Sequence, residues 1–92
     1  MAEDLWDVLG CKWTRRIVSH LAEGEARFNG IERAIGTPTS TLSDRLKRLE
    51  SAGIVSREVK DDSPPAVRYG LTERGERLAE LLTEIERLDQ IP

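Results

Sequence analysis

The chain has 92 residues, of which 38% are hydrophobic and 4% aromatic, and its net charge is −3. This length supports one domain with a small core, since domains usually contain about 100–150 residues. No apolar run reaches the about 18 residues of a membrane span, and the acidic start "MAEDLWDVLG" lacks the basic region of a signal peptide. We therefore expect a cytoplasmic protein without a membrane partner.

The rare residue types limit the chemistry that is available. A single cysteine and a single histidine exclude an internal disulfide and a zinc cluster, so we expect no metal and no cofactor. His20 is interpreted as a surface residue. The sequence also shows no nucleophile–base pair, no carboxylate pair directed at a cleft and no phosphate-binding loop. We therefore expect a protein that is not an enzyme.

Acidic residues are concentrated at the end of the chain. Residues 1–71 contain 11 acids and 11 bases, net zero, whereas residues 72–92 contain 6 acids and 3 bases, net −3. The excess of negative charge is thereby kept away from the first three quarters of the chain. Cations there can cluster locally on one surface.

Helical spacing of apolar residues predicts two helices before residue 25. The first has the apolar residues Leu5, Trp6, Val8 and Leu9. The second has the apolar residues Trp13, Ile17, Val18 and Leu21. Gly10 and Gly24 end them. The two tryptophans are interpreted as core or dimer-interface side chains, and the cations Lys12, Arg15 and Arg16 as a basic patch or a solvated helix face.

Two further helices follow. The third helix begins around Asn29 and ends at Gly36. Asn29 or one of the residues around it can cap the start of this helix. Its inner face consists of Phe28, Ile31, Ala34 and Ile35. The fourth lies in "GTPTSTLSDRLKRLESAG", enters through Thr37 and Pro38 and is capped by Gly53. Its buried side consists of Leu42, Leu46 and Leu49.

The opposite side of the fourth helix is polar and mostly short. It consists of Ser40, Thr41, Asp44, Lys47 and Arg48, with Ser43 and Arg45 on the flanks. Such a face is either simply solvated, or it reads DNA with hydroxyls near base edges and cations on phosphate or guanine. Asp44 can accept from a cytosine amino group or pair with Arg48 one turn later, and we favour the pair.

The residues after Gly53 change from a helical pattern to a strand-like pattern. "IVSREVK" and "VRYGL" alternate like strands around the turn cluster "DDSPPA", which predicts one hairpin. A last helix follows a Thr72 cap. It carries the apolar stripe Leu78, Leu81, Leu82, Ile85 and Leu88. This stripe packs on its own domain or pairs across a two-fold axis, and the small core favours the dimer.

The order of four helices, a hairpin and a helix predicts a mainly α fold with a β-hairpin wing, the winged helix-turn-helix. The expected organisation is a single domain, residues 1–92, with N- and C-terminal dimerisation helices. The helix-turn-helix spans about 28–52, the wing about 54–71 and the C-terminal dimerisation helix about 72–90. In this fold the second helix of the pair enters the major groove of DNA.

Six short motifs together resemble one family. They are G-x-K-W, R-F-N, T-L-x-x-R-L-x-x-L-E, A-G-I-V-x-R, P-P-x-V-x-Y and L-T-x-x-G, between about Leu5 and Leu88. In order and spacing the chain resembles the HxlR-type winged-helix transcriptional regulators. The resemblance implies a homodimer on double-stranded DNA, with the terminal helices as the subunit interface. The interface residues would be Leu5, Trp6, Leu9, Leu78, Leu81, Leu82, Ile85 and Leu88.

The resemblance also assigns DNA-contacting positions. Arg27 would lie beside phosphate at the start of the helix-turn-helix, and Phe28 in the core. The recognition helix would use Thr39, Ser40, Thr41, Ser43, Arg45, Lys47 and Arg48. The wing would use Arg57, Lys60 and Arg68, with Tyr69 at its base. Departures from the family pattern are Gly30, Pro38, Ser40 and the acidic wing tip formed by Asp61 and Asp62.

Cys11 is the one candidate redox residue. Several members of the family sense oxidants through a cysteine in a Cys-Pro pair, and this chain has no such pair. Its thiol lies inside the G-x-K-W motif, beside Lys12, which could make it reactive. We favour the simpler interpretation of a small, partly buried residue. The sequence shows no signature of a small-molecule effector pocket.

Two functions are compatible with these patterns. The first is a sequence-specific transcriptional regulator that binds a near-palindromic operator as a homodimer. The second is a winged-helix protein–protein module that reads no DNA sequence, which the overall acidity and the acidic wing tip favour. They differ in whether Lys47 and Arg48 matter for DNA binding.

Overall fold

The computed structural model describes residues 11–60 and 66–92. Its helices and strands are, in chain order, α1 Lys12–Leu21, α2 Phe28–Ile35, α3 Thr39–Ser51, β1 Val55–Lys60, β2 Ala66–Leu71 and α4 Glu73–Asp89. The strands form a two-stranded antiparallel hairpin, which follows the α2–α3 pair in the chain. This arrangement is a winged helix-turn-helix, which confirms the predicted fold class. The predicted helix around residues 5–9 lies outside the described residues.

The core is formed by one apolar face from each of the first three helices and by the start of the hairpin. Its largest apolar side chains, exposed by 1% or less, are Ile17, Val18, Ile31, Leu42, Leu46, Leu49 and Ile54. The three leucines of α3 are therefore on the buried side, as predicted. Phe28 and Ile35 pack against this core and are half-buried.

The predicted inner face of α2 was wrong at one residue, because Ala34 is exposed. At 100° per residue, Phe28 and Ile35 lie about 60° and 40° to one side of Ile31, whereas Ala34 lies about 60° to the other. The centre of the buried face is therefore rotated away from Ala34. A helix of eight residues has too few apolar positions to reveal that rotation.

The turn between α2 and α3 is short. Gly36 ends α2 in the left-handed region, with φ of 68°, where glycine has no steric penalty. Pro38 occupies the N-cap position of α3, and its carbonyl accepts from the Leu42 N–H at 3.0 Å. Arg27 occupies the corresponding position of α2, and no side chain caps either helix. The turn therefore depends on backbone conformation.

The predicted cap after α3 is confirmed. Gly53 has φ of 75° and its N–H donates to the Glu50 carbonyl at 3.0 Å. The next N–H, of Ile54, donates to the Leu49 carbonyl at 2.9 Å. This pair of bonds is the Schellman motif, which satisfies the last carbonyls of a helix. The chain leaves α3 with Ile54 held in the core.

The wing is joined to the loop before α2 by a backbone bridge that the sequence analysis missed. The Ala26 N–H donates to the Tyr69 carbonyl at 2.9 Å, and the Tyr69 N–H donates back at 2.8 Å. Tyr69 is half-buried at the base of the wing, in agreement with the resemblance. The hairpin is thus attached to the start of the helix-turn-helix.

The last helix leaves the body of the protein along its length. Thr72 caps it as predicted, because its hydroxyl accepts from the Gly75 N–H at 3.0 Å. Leu78 is 6% exposed, whereas Ile85 is 59% and Leu88 66% exposed. Its apolar stripe is therefore covered only near its start. None of the helices in the described ranges is both long enough and apolar enough to cross a membrane.

Candidate nucleic-acid interface

The outer face of α3 carries most of the predicted DNA-binding side chains. Ser40 and Lys47 are exposed, and Thr41 and Ser43 are half-buried. Ser40 and Lys47 lie opposite the leucine face, which is fully buried, and Thr41 and Ser43 lie about a quarter turn to either side of it. Because short hydroxyl side chains let a helix approach base edges closely, this surface suits the major groove.

Thr39 is already engaged by its own chain. Its hydroxyl donates a hydrogen bond to the Glu32 carboxylate on α2. The bond crosses the turn of the helix-turn-helix and ties the first residue of α3 to the preceding helix. Thr39 was predicted as a DNA contact, and Glu32 was not singled out. A seven-residue separation across a turn leaves no periodic signal for such a pair.

Asp44 forms the ion pairs that were favoured over a base contact. Its Oδ2 lies 3.1 Å from Nε of Arg48 and 3.8 Å from a terminal nitrogen of Arg45. The carboxylate is 56% exposed. It therefore holds two of the cations of α3 along the helix surface and offsets part of their charge.

Replacing Asp44 by asparagine is expected to strengthen binding to any DNA duplex at low salt by about two- to fivefold. If α3 faces DNA, the substitution removes one negative charge near phosphate, and exposed charges interact only weakly through water and salt. Fluorescence anisotropy with operator and scrambled duplexes measures the change. Glu84→Gln, with the same change of charge on α4, is the control. An altered base preference at one position would show instead that Asp44 reads cytosine.

Arg27 lies at the entrance to α2. It is exposed, its backbone is extended, and its carbonyl accepts from the Ile31 N–H at 3.0 Å. It directly follows Ala26, which is bridged to the wing. Arg27 is therefore anchored through its backbone between the wing and the helix-turn-helix, with its side chain directed to solvent.

The three cations predicted for the wing do not share one surface. Side chains alternate between the faces of a strand, so Arg57 and Lys60 on β1 lie on opposite faces. Arg68 is paired across the hairpin with Glu58 and shares the face of Lys60. The Lys60 ammonium lies 3.3 Å from Glu58 and 3.7 Å from Glu25. The predicted acidic tip, Asp61 and Asp62, lies outside the described residues.

The cations of α1 are arranged around Trp13. The Lys12 ammonium lies 4.9 Å and the Arg16 guanidinium 5.2 Å from the centre of its ring, within the range of cation–π attraction. Trp13 itself is half-buried and packs against the core. This cluster supports packing as the role of Trp13, while Lys12 and Arg16 remain on the exposed face of α1.

Cys11 and His20 are the two remaining residues whose side chains could react with an oxidant or bind a metal ion. Cys11 is half-buried directly before α1. His20, expected at the surface, keeps 29% of its side chain exposed and lies 3.9 Å from Glu23. Over residues 11–60 and 66–92, no three His, Cys, Asp or Glu side chains are grouped so that they could hold a metal ion.

Comparisons with known proteins agree with this geometry. The HTH-type transcriptional regulator YvaP of Bacillus subtilis is 40% identical over 82 residues, which cover 88% of this chain and 76% of YvaP. An HTH-type transcriptional regulator of Synechocystis is 36% identical over 83 residues, 89% of this chain, and the chain spans only 62% of that relative. The reduced form of the B. subtilis transcriptional regulator YodB has a TM-score of 0.84 at 35% identity, covering 89% of this chain and 81% of YodB.

These similar proteins are regulators, which confirms that the chain is not of an enzyme family. The family model described as HxlR-like helix-turn-helix matches residues 8–90, almost the whole chain. Sequence, fold and the polar face of α3 therefore lead to one assignment. The chain belongs to the HxlR-like helix-turn-helix family of transcriptional regulators.

Proposed function

We propose that the protein binds double-stranded DNA as a homodimer at a near-palindromic operator in the cytoplasm and regulates transcription there. Its two α3 helices would occupy successive major grooves, about 34 Å apart, and control access of RNA polymerase. The observation that carries the proposal is the two-sided character of α3. Its leucines are at most 1% exposed, and its hydroxyls and cations lie on the other side.

Within α3, the proposed roles follow from side-chain chemistry. Ser40, Thr41 and Ser43 are short enough to reach base edges as donors or acceptors. Lys47 and Arg48 would contact phosphate or guanine, and Arg27 would contact phosphate beside the start of α2. Because Thr39 is bound to Glu32, we propose that it orients α3 within the groove. We keep as proposed contacts to the DNA backbone the wing cations Arg57, Lys60 and Arg68, which are divided between the two faces of the wing.

The proposed subunit interface follows α4. Leu81, Ile85, Leu88 and Ile91 are between 38% and 67% exposed. The outer part of the stripe lines a groove of about 390 Å³, to which Arg15 of α1 and the acids Glu86 and Asp89 also contribute. Exposed apolar surface of this kind is typical of an interaction site. A second α4 would cover it across a two-fold axis.

We adjust the composition of the proposed interface to the burial of its residues. Leu78 is 6% exposed and packs in the core of its own chain, so little of it remains for a partner. Leu82 is half-buried and lies at the boundary. Ile91, which was not predicted, extends the stripe beyond α4. The proposed N-terminal contribution, Leu5, Trp6 and Leu9, lies outside the described residues.

The proposal is tested by titrating the purified protein with DNA from upstream of its own gene and with a scrambled duplex of equal length, across a salt series. We expect tighter binding to the native fragment, with a specificity ratio that survives high salt. Equal, weak binding that disappears with salt, together with no selected sequence from a random DNA pool, would contradict it. Affinity and salt must be reported together, because phosphate contacts release counterions.

Replacing Lys47 by alanine is expected to weaken operator binding and to lower the salt slope by about one unit, as one phosphate contact is lost. Lys47 is exposed on the outer face of α3, so the fold does not depend on it. Arg87→Ala removes another exposed cation from the far end of α4 and serves as the matched control. Identical salt slopes for the two variants would argue against α3 as the DNA-binding helix.

The competing function, a protein–protein module, is favoured by one observation. Lys60, a proposed wing contact, is held by Glu25 and Glu58 and is therefore partly neutralised. If the hypothesis of a protein–protein module were correct, Lys47→Ala and Arg48→Ala would have no effect in any DNA-binding assay. The same titration therefore separates the two functions.

A further inference from the structure

The end of α3 and the start of α4 meet at a joint of four residues: Gly53, Ile54, Thr72 and Gly75. The Thr72 N–H donates to the Ile54 carbonyl at 3.0 Å. The Thr72 hydroxyl donates to the Gly53 carbonyl at 2.6 Å, with the Ile54 carbonyl 3.2 Å away. The same oxygen accepts from the Gly75 N–H at 3.0 Å. One side chain therefore links the cap of α3 to the first turn of α4.

Gly75 brings the two segments closer than any other residue would allow. A Cβ at position 75 would stand 2.1 Å from the Ile54 carbonyl oxygen and 3.2 Å from Cβ of Leu71. The clashing oxygen belongs to the backbone, so no rotamer change relieves it. Glycine is a poor helix former, yet here it lies in the first turn of α4. Close contact with Ile54 explains why that position is glycine.

The joint has little freedom to adjust. Ile54 is 1% exposed and its N–H is bound to Leu49 at the end of α3. Gly75 is buried as well. Moving one side of the joint therefore moves either the last turn of α3 or the whole of α4. The joint therefore contributes to the orientation of α4 relative to α3, together with the packing of Leu78, Ala79 and Leu82 on the core.

A small displacement at the joint becomes a larger displacement at the far end of α4. The helix spans Glu73–Asp89 and rises about 1.5 Å per residue. Leu78, its buried contact with the core, lies about 4.5 Å beyond Gly75, and Arg87 lies about 13.5 Å beyond Leu78. If α4 pivots at Leu78, a shift of about 1 Å at Gly75 becomes about 3 Å at Arg87. The exposed stripe lies on that distal part.

We propose that Thr72 and Gly75 are positioning residues that set the separation of the two recognition helices, and thereby the spacing of operator half-sites that the dimer accepts. The inference rests on the proposed homodimeric DNA binding. It gives the L-T-x-x-G motif a role in specificity, although neither residue belongs to α3. The joint transmits the geometry of the subunit interface on α4 to the reading face of α3.

The first test measures the orientation of α4 relative to α3 in the absence of DNA. Nitroxide labels are placed at Lys47→Cys and Arg87→Cys in a Cys11→Ser background, diluted with unlabelled protein, and their distance is measured by pulsed electron resonance. Gly75→Ala is expected to shift the mean distance by about 3 Å. An unchanged distance in a folded Gly75→Ala protein would overturn the proposal, whatever the protein does with DNA.

The second test uses DNA from a random-pool selection, rebuilt with half-sites moved closer or farther by one or two base pairs. The unchanged protein is expected to prefer one spacing. Gly75→Ala is expected to lose about tenfold in affinity at that spacing, the scale of one lost base contact, and to prefer another. Binding to a single half-site is expected to stay the same. A uniform loss at every spacing, or none, would reject a positioning role.

A pair of milder substitutions covers the case in which Gly75→Ala does not fold. Thr72→Val keeps the shape and removes the hydroxyl, whereas Thr72→Ser keeps the hydroxyl. We expect Val to shift or broaden the spacing preference and Ser to retain it. Equal behaviour of the two variants would overturn the proposal. If the unchanged protein selects no sequence, the proposed function fails, and the label distances still decide the joint.

Discussion

Replacing Ile85 and Leu88 together by glutamate is expected to convert the proposed homodimer into a monomer without unfolding it. Both side chains are more than half exposed, so neither is needed by the core of its own chain. In the proposed dimer four such side chains become buried, each stabilising the interface by about 1.5–3 kcal/mol when fully covered. Four buried carboxylates would remove that stabilisation and add the cost of burying charge.

Loss of the dimer is expected to reduce operator affinity by about 100- to 10,000-fold. Linking two DNA-binding units makes the second half-site contact intramolecular, and this gain disappears when the subunits separate. Binding to an isolated half-site should change little, because α3 is untouched. The expected signature is therefore a lost preference for the palindrome with an intact single-site interaction.

Sedimentation velocity measures the oligomeric state, and anisotropy with full and half operators measures the affinities. Arg87→Glu is a matched control, since it adds the same two units of negative charge on the side of α4 that carries Arg77, Glu80 and Glu84. It should stay dimeric. A double variant that remains a dimer and binds the operator normally would place the subunit interface elsewhere.

The fold of this chain was predictable because its strongest sequence signals are local. Leu42, Leu46 and Leu49 recur at helical spacing within a 13-residue helix, which is long enough to define a face. Gly53 and Thr72 end and begin helices through backbone and side-chain chemistry that is encoded within a few residues. Such features need no knowledge of the rest of the chain.

The features that were missed depend on contacts between segments far apart in sequence. The bridge between Ala26 and Tyr69 involves backbone groups, which carry no residue signature. The hydrogen bond from Thr39 to Glu32 depends on how tightly the helix turn closes. Neither could be read from spacing alone.

The wing cations show how register decides a site. The sequence grouped Arg57, Lys60 and Arg68 because all are basic and near one hairpin. Their faces depend on strand parity and on the pairing of Glu58 with Arg68, which a shift of one residue would reverse. The sequence identifies which strand carries a basic residue, whereas the pairing of the strands determines which face of the hairpin that residue lies on.

Replacing Leu46 by alanine is expected to lower the free energy of unfolding by about 2–5 kcal/mol, the usual range for a buried leucine. Leu46 is 1% exposed between Leu42 and Leu49, so truncation leaves a cavity that the small core cannot easily close. Domains of this size are stable by only about 5–15 kcal/mol. The melting temperature should therefore fall by roughly 10–30 °C.

The neighbouring residue supplies the sharpest comparison, because Leu46 and Lys47 point to different sides of the same turn of α3. Thermal denaturation followed by circular dichroism, at equal protein concentration, should separate Leu46→Ala from Lys47→Ala, which should melt like the unchanged protein. DNA titration below both melting temperatures should reverse the order, with Lys47→Ala the weaker binder. Two variants equally impaired in both assays would mean that α3 is not divided into a structural and a reading face. Opposite effects at adjacent positions would assign the leucines to folding and the polar face to DNA.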